Sequence, residues 1–287
     1  MYSARIENKY GESLTLTGRE DLWQIESIEG LGPVPAQLNI SSLAGLDGGR
    51  FNSAQLNTRN IVITLALKGD IEANRQRLYR FFRTKEKCTF HFSNNNRKVY
   101  AVGHVETDDV NLFGFGQRMQ ISIICPDPYF HNAAGKTQAI TGVASLFTFP
   151  FAINAGEPVA FSEYAGNSGI PVMNASDTET GVSIKVVCIT DLLTFTISNL
   201  TTNESMTLNY GFLSGDVVTI DTNRGQKSVR LLRGGQNTNL FSALDMPESK
   251  FLQLASGQNL FTCSVDGGTS DGKAKITVSY DEKFGGV

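Results

Sequence analysis

Tryptophan is nearly absent from this chain, histidine and cysteine are sparse, and no long apolar run interrupts it. Its 287 residues include one Trp, three His and four Cys. This scarcity leaves little room for metal chemistry. Cys88, Cys125, Cys188 and Cys263 form no close pair, and His91, His104 and His131 offer no zinc-like spacing. Buried free thiols, as in a reducing compartment, are the expectation. No stretch reaches the ~18 apolar residues that a membrane helix needs. The opening "MYSARIENK" is charged early and has no apolar signal core. Synthesis in the cytoplasm and no membrane insertion are expected.

Catalytic motifs are missing too. No G-x-S-x-G elbow occurs, and Ser168 in "GNSGI" resembles one only superficially. In "GGTSDGKA", Gly267, Gly272 and Lys273 fit a phosphate loop, but Ala274 stands where magnesium needs a hydroxyl. A strand-like "AKITVSY" follows instead of a helix, so a hairpin turn is the better reading. Asp266 and Asp271 in that loop lack the spaced oxygens of a calcium site. His91 lies between Phe90 and Phe92 and reads as structural. A catalytic Cys125–His131 pair is a remote reading beside the structural one of that stretch. No enzyme, cofactor or metal is expected.

What is present is globular: 40% hydrophobic residues, 18% charged, 18 Phe and 28 Gly. The net charge of -3 argues against a general nucleic-acid binder. Up to Phe130 the chain holds 15 basic and 14 acidic residues, and beyond it 10 and 14. Arg75, Arg77, Arg80, Arg83, Lys85, Lys87, Arg97 and Lys98 form a basic cluster with only Glu86 nearby. It reads as a solvated helix face and hairpin rim, more pointedly as an intersubunit charge seam carried by Arg75, Arg80 and Arg83, and last as a nucleic-acid contact.

Period-two patterns dominate. "SLTLTG", "LWQIESIEGLG", "RNIVITLALKG", "CTFHFS", "KVYAVGHVE" and "GFGQRMQISIICPD" read as strands. Ile28 breaks the alternation of Trp23, Ile25 and Ser27, which suggests a bulge there. "GLGPVPAQ" is a poor strand centre, since Pro33 and Pro35 cannot donate to a ladder. A projecting loop or edge arm that touches a neighbouring subunit suits it better. "DIEANRQRLYRFFRT" is the one clear helix, with Asp70 as its cap. These elements predict an antiparallel β domain over 1–131 with one packed helix.

After Phe130 no strong helix appears. "VASLFTFPFAI", "EPVAFSEY", "GVSIKVVCIT", "LTFTISNL", "MTLNYG", "DVVTIDT", "KSVRLLR" and "AKITVSY" recur at the spacing of a small β-sandwich, assigned to 132–287. The boundary falls between about Asn132 and Gln138. Phe161, Tyr164, Tyr210 and Phe212 could serve a glycan platform, though core or rim packing explains each. "CPDPYF" closes the first domain: Pro126 and Pro128 stop ladder pairing, Asp127 stabilises the turn, and Tyr129 and Phe130 pack it. The group is read as a rigid hinge post.

"IESIEGLGPVPAQ", "GLDGGRF", "NRQRLYRFF", "CPDPYF", "GFLSGDVVTIDT", "KSVRLLRGGQN" and "FLQLASGQNLF" occur in an order and spacing that resembles the distal tail proteins of long-tailed, non-contractile bacteriophages. The resemblance implies a structural subunit of the virion tail tip. Such proteins form a ring, here of six copies, whose first domain builds the ring while a galectin-like sandwich projects outward. Implied partners are other copies of the chain, the major tail tube protein, the tail hub or tail-associated lysin, and a receptor-binding protein, with DNA only in transit. The runner-up is a carbohydrate-binding or host-adhesion module.

Overall fold

The computed structural model describes residues 2–42, 44–45, 47–112, 116–139, 143–145, 162–164, 169–270 and 272–287. It divides into two units: Met1–Ala134 together with Lys283–Val287, and Gly135–Glu282. The chain therefore crosses between units twice. The second unit begins three residues after the expected start at 132, and the five residues from Lys283 return to the first.

The first unit contains β1 (Ser3–Asn8), β2 (Ser13–Thr15), β3 (Trp23–Glu29), β4 (Ala36–Ser42), β5 (Gly49–Leu56), β6 (Arg59–Leu67), α1 (Ile71–Phe81), β7 (Lys87–Ser93), β8 (Lys98–Val110), β9 (Arg118–Cys125) and β10 (Phe130–Asn132). The second contains β11 (Lys136–Ala139), β12 (Val143–Ser145), β13 (Ser162–Tyr164), β14 (Ile170–Asn174), β15 (Thr180–Gly181), β16 (Ser183–Cys188), β17 (Leu192–Asn199), β18 (Glu204–Phe212), β19 (Val217–Asp221), β20 (Ser228–Arg233), β21 (Gln236–Asn239), β22 (Gln253–Leu254), β23 (Gly257–Val265), β24 (Gly268–Thr269) and β25 (Ala274–Tyr280). The returning β26 (Lys283–Phe284) belongs to the first unit.

The main sheet of the first unit runs β2-β1-β7-β8-β9-β6-β3, with β10 beside β8 and β26 beside β10. Alternation sets its faces. Arg59, Ile61, Ile63, Leu65 and Leu67 of β6 are buried, while Val62 and Ala66 are half-buried. α1 packs on the buried side through Leu78, and Phe82 follows it inward. Asp70 caps the helix as expected, accepting a hydrogen bond from the Ala73 N–H at 3.1 Å. Asn74 is buried on the same helix and donates to the carbonyls of Lys68 (2.8 Å) and Leu22 (3.3 Å). It ties the helix start to the chain ahead of β3. Trp23 is buried and its indole N–H reaches the Leu16 carbonyl at 3.1 Å.

The bulge in β3 is not at Ile28. The register shifts between Ile25 and Ser27. Glu26 is the extra residue, and its carboxylate meets Arg118 at 2.8 Å. The shift brings Ile28 back to the core face, which accounts for the broken alternation.

The second unit is a sandwich. One sheet runs β11-β25-β16-β19-β20-β21, the other β14-β23-β17-β18 with β24 on β23. Ile184, Val186, Val218, Ile220, Ile276 and Val278 of the first sheet share one core with Phe195, Ile197, Met206, Leu208 and Phe261 of the second. Of "VASLFTFPFAI" and "EPVAFSEY", only β12 and β13 are described, and they pair with each other. The remainder lies outside the described residues.

One buried cation organises the end of the first unit. Arg59 is 1% exposed. Its Nε and one terminal nitrogen donate to the Pro128 carbonyl at 2.9 and 2.6 Å. Its guanidinium also donates to the carbonyls of Gly30, Gly32 (2.8 Å) and Gly285 (2.7 Å). The Phe130 ring lies 4.1 Å beneath it. Burial pushes the Arg59 pKa down, against the opposing pull of Cys125 and Asp127. Gly30 is needed for this approach. It sits at φ +81°, and a Cβ there would meet the Asn60 carbonyl oxygen at 1.9 Å.

Arg59→Met leaves four carbonyls without their donor and should cost about 3 kcal/mol or more in urea unfolding. Arg59→Lys, a point charge without the planar fork, should recover only part of it. Asp108 of β8 lies opposite Ile121, and both its carboxylate oxygens are buried without a hydrogen-bond partner. Burial, aided by Asp109, pushes its pKa from the ordinary 3.8 up to about 7. The folded state thus holds this proton more tightly than the unfolded one. The penalty is absent below pH 4, grows between pH 4 and 7, and is complete above. Asp108→Asn should stabilise by on the order of 1 kcal/mol at pH 8, discounted for partial exposure. Thermal melts at pH 4 should not separate it from the parent.

Candidate assembly surfaces

The sequence pointed to a projecting arm at "GLGPVPAQ". The structure puts Pro33 and Pro35 in the approach to a two-stranded hairpin, β4 with β5, that is separate from the main sheet. The hairpin itself was not foreseen as strand. Every residue of both its strands is exposed. Its register pairs Ala36 with Leu56, Leu38 with Ala54 and Ile40 with Phe51. The other face pairs Gln37 with Gln55, Asn39 with Ser53 and Ser41 with Arg50. One face is apolar and the other polar.

That arrangement is costly for an isolated chain. Leu38, Ile40 and Phe51 are 57%, 56% and 60% exposed. A lone two-stranded hairpin is marginal in water. Covering these side chains and Leu56 would contribute on the order of 5 kcal/mol. The base is tied by the Asn57 N–H to the Pro35 carbonyl at 3.2 Å. Proline fixes φ just where the arm departs.

The basic residues of α1 and of the turn that follows it separate into two environments. Arg75 is tied to Glu72 one turn back. Arg77, Arg80 and Arg83 line an open groove with Glu12, Ser13, Leu14, Gln76 and Phe81. β2, at the end of the sheet, forms its other wall. Leu14 is the hydrogen-bonded partner of Ile6, by the alternation that the Leu16 N–H to Ala4 carbonyl bond sets. The backbone groups of Ser13 and Thr15 therefore face outward, toward the groove.

At the exit of β9, Pro126 to Phe130 make a tight, fully engaged turn. Asp127 accepts from the Tyr129 N–H at 3.0 Å and meets His131 Nε2 at 3.1 Å. Burial works against its charge, yet those bonds hold it below the usual carboxylate range. Pro128 offers its carbonyl to Arg59. Phe130 is buried and pairs with Phe284 of β26. Arg97 donates to the Gly286 carbonyl at 2.8 Å and lies 4.2 Å over the Phe284 ring. The sequence marked this turn but carried no local sign of the tail that locks it.

The residues weighed for other chemistry lie apart. The four thiols are free and buried. Burial pushes Cys88 and Cys263 up to about 12, and Cys125 and Cys188 to about 11. His91 is half-buried near Glu7 at 3.7 Å, with burial pushing its pKa down. Among the described residues, no three His, Cys, Asp or Glu side chains gather as a metal site. No helix among them is long and apolar enough to cross a membrane. Phe212 is buried, whereas Tyr210 is 37% exposed beside it. Phe161 and Asp271 lie outside the described residues.

Residues 175–284 match the family model of the siphovirus-type tail component, C-terminal domain. No curated protein matches the chain. Among solved structures, the Dit protein (gp 19.1) of phage SPP1 is similar over 99% of both chains, with 16% identity and a TM-score of 0.68. That protein is described as a paradigm of the hub adsorption apparatus in phages infecting Gram-positive hosts. A weaker likeness, at 13% identity and a TM-score of 0.48, is to the phage P2 baseplate in its activated conformation with calcium, over 97% of this chain and 98% of that one. Residues 175–284 are thus similar to the C-terminal domain of a siphovirus-type tail component, and the chain as a whole shares its fold with the solved Dit protein.

Proposed function

We propose that this chain is the connector of a phage tail tip, assembling as a ring of six copies that joins the tail tube to the hub or adhesion apparatus. The observation that carries the reading is the amphipathic arm. Its exposed apolar face needs a cover, and a second copy of the chain can supply one at each step around a closed ring. Pro33 and Pro35 hold the arm's departure in one direction, which lowers the entropy lost on docking. The whole-chain likeness to a hub protein supports the same reading.

In this account the first unit builds the ring and leaves a central channel through which DNA passes. Arg80 and Arg83 offer an acidic neighbouring surface a partner, while Arg75 steadies the helix through Glu72. The turn from Pro126 to Phe130 is a rigid post between the ring unit and the outward sandwich. Tail tube protein docks on one ring face and the hub or lysin on the other. The sandwich recruits receptor-binding protein. This work is assembly and transmission, and it breaks no covalent bond.

Native mass spectrometry and negative-stain microscopy of the full chain test the proposal. Six-lobed rings with a central hole are expected. Leu38→Asp with Phe51→Asp should yield monomers at micromolar concentration without lowering the melting temperature, since neither side chain is packed in the single chain. A monomeric parent protein, or rings unchanged by the double substitution, would sink it.

A further inference from the structure

We infer that the β21 edge of the second unit's larger sheet binds an anionic glycan, in the open groove between β20, β21 and the residues that follow them. The groove has a volume of about 350 Å³ and is lined by Lys227, Ser228, Arg230, Asn237, Thr238, Asn239 and Phe241. The site goes beyond the connector role and does not depend on it.

The strand geometry assembles the donors. β21 is the terminal strand of its sheet. The Leu240 N–H bonds to the Val229 carbonyl, and Asn239 lies opposite Arg230 and Asn237 opposite Leu232. By the antiparallel alternation, Asn237 and Asn239 are therefore non-hydrogen-bonded pairs. Their backbone N–H and C=O groups face away from β20, and among the described residues no further strand pairs with that edge. Their side chains share a face with Arg230. Amides, hydroxyls and a guanidinium thus converge on one short stretch of edge, which suits a ligand made of closely spaced hydroxyls.

An aromatic plate completes the set. Phe241 is 38% exposed. It stacks on Phe251, with centroids 5.8 Å apart and planes at 30°. The Asn239 side chain accepts from the Phe241 N–H at 2.9 Å, fixing the ring beside the strand. The apolar face of a sugar ring packs on such a surface. A protein partner would want a larger apolar centre than one half-exposed ring.

Charge selects among glycans. The second unit, Gly135–Glu282, holds nine basic and 14 acidic residues, yet among the described residues lining the groove there are two cations and no carboxylate. Lys227 is positioned with its Nζ 4.9 Å over the Phe251 ring. Arg230 has neighbours Thr219 and Asn239 across the strands and offers its fork to a planar or tetrahedral anion. A positive site on a negative unit favours an acidic polysaccharide over a neutral one.

Titration calorimetry on the full chain tests this with four probes: an oligogalacturonate, a phosphomannan, maltohexaose and a polyglutamate peptide. At least one acidic glycan should bind, more weakly as salt is raised, and at least about tenfold more tightly than maltohexaose or polyglutamate. Phe241→Ala, and separately Lys227→Gln with Arg230→Gln, should each weaken it at least about tenfold. Arg224→Gln, on a residue tied to Glu179 outside the groove, should change nothing. Thermal melts of each variant check folding, and ring formation, measured in parallel, should be unaffected. Four results overturn the inference: no glycan binding, binding that the groove substitutions leave intact, preference for maltohexaose, or polyglutamate bound as well as the glycan. None of them touches the ring reading, which stands or falls on the arm.

Discussion

A guanidinium taken out of water must have nearly all its donors engaged, because an unpaired buried charge is among the most costly defects a fold can hold. Arg59 meets that demand with backbone carbonyls alone. The four residues it holds, Gly30, Gly32, Pro128 and Gly285, come from three separated stretches of chain. Those stretches are the approach to the arm, the exit from β9 and the returning tail. Each is irregular and has few ladder bonds of its own, so one side chain supplies the order that pleating supplies elsewhere. The direction in which the arm leaves the unit depends on this clamp.

Much of the first unit was legible because its information is local. β6 and β7 alternate cleanly, and α1 carries a cap and an apolar stripe within a dozen residues. The β3 bulge was half legible: Ile28 betrayed a fault, but only the pairing with β6 shows that Glu26 is the extra residue. Arg59 carries a local sign of burial, since it shares the parity of Ile61, Ile63 and Leu65 and so belongs on the buried face. Its partners lie up to 226 positions away, beyond any local pattern.

The candidate surfaces divide in the same way. Pro33 and Pro35 announced an arm. Yet "AQLNISS" has the period of a half-buried strand, and its glycine-rich flank obscured that. The apolar face becomes visible only when the bulged register aligns Phe51 with Ile40. The groove on the second unit was less legible still. Phe241 and Phe251 are ten residues apart, and the sequence drew attention instead to Phe212, which is core, and to Tyr210 at its rim. In a sandwich, which aromatic is plate and which is filling depends on strand order.

The tail formed by Lys283–Val287 has a consequence for synthesis. These residues are translated after the whole second unit, yet they complete the first. Phe284, Gly285 and Gly286 supply the partners of Phe130, Arg59 and Arg97. A ribosome that has released residues 1–134 has therefore not yet produced a finished first unit. Domain-by-domain folding during synthesis, the usual course for a two-unit chain, is interrupted here. Chains broken anywhere in the sandwich would lack the final strand of the unit that precedes it. Only a polypeptide read through both units contains every residue of the first.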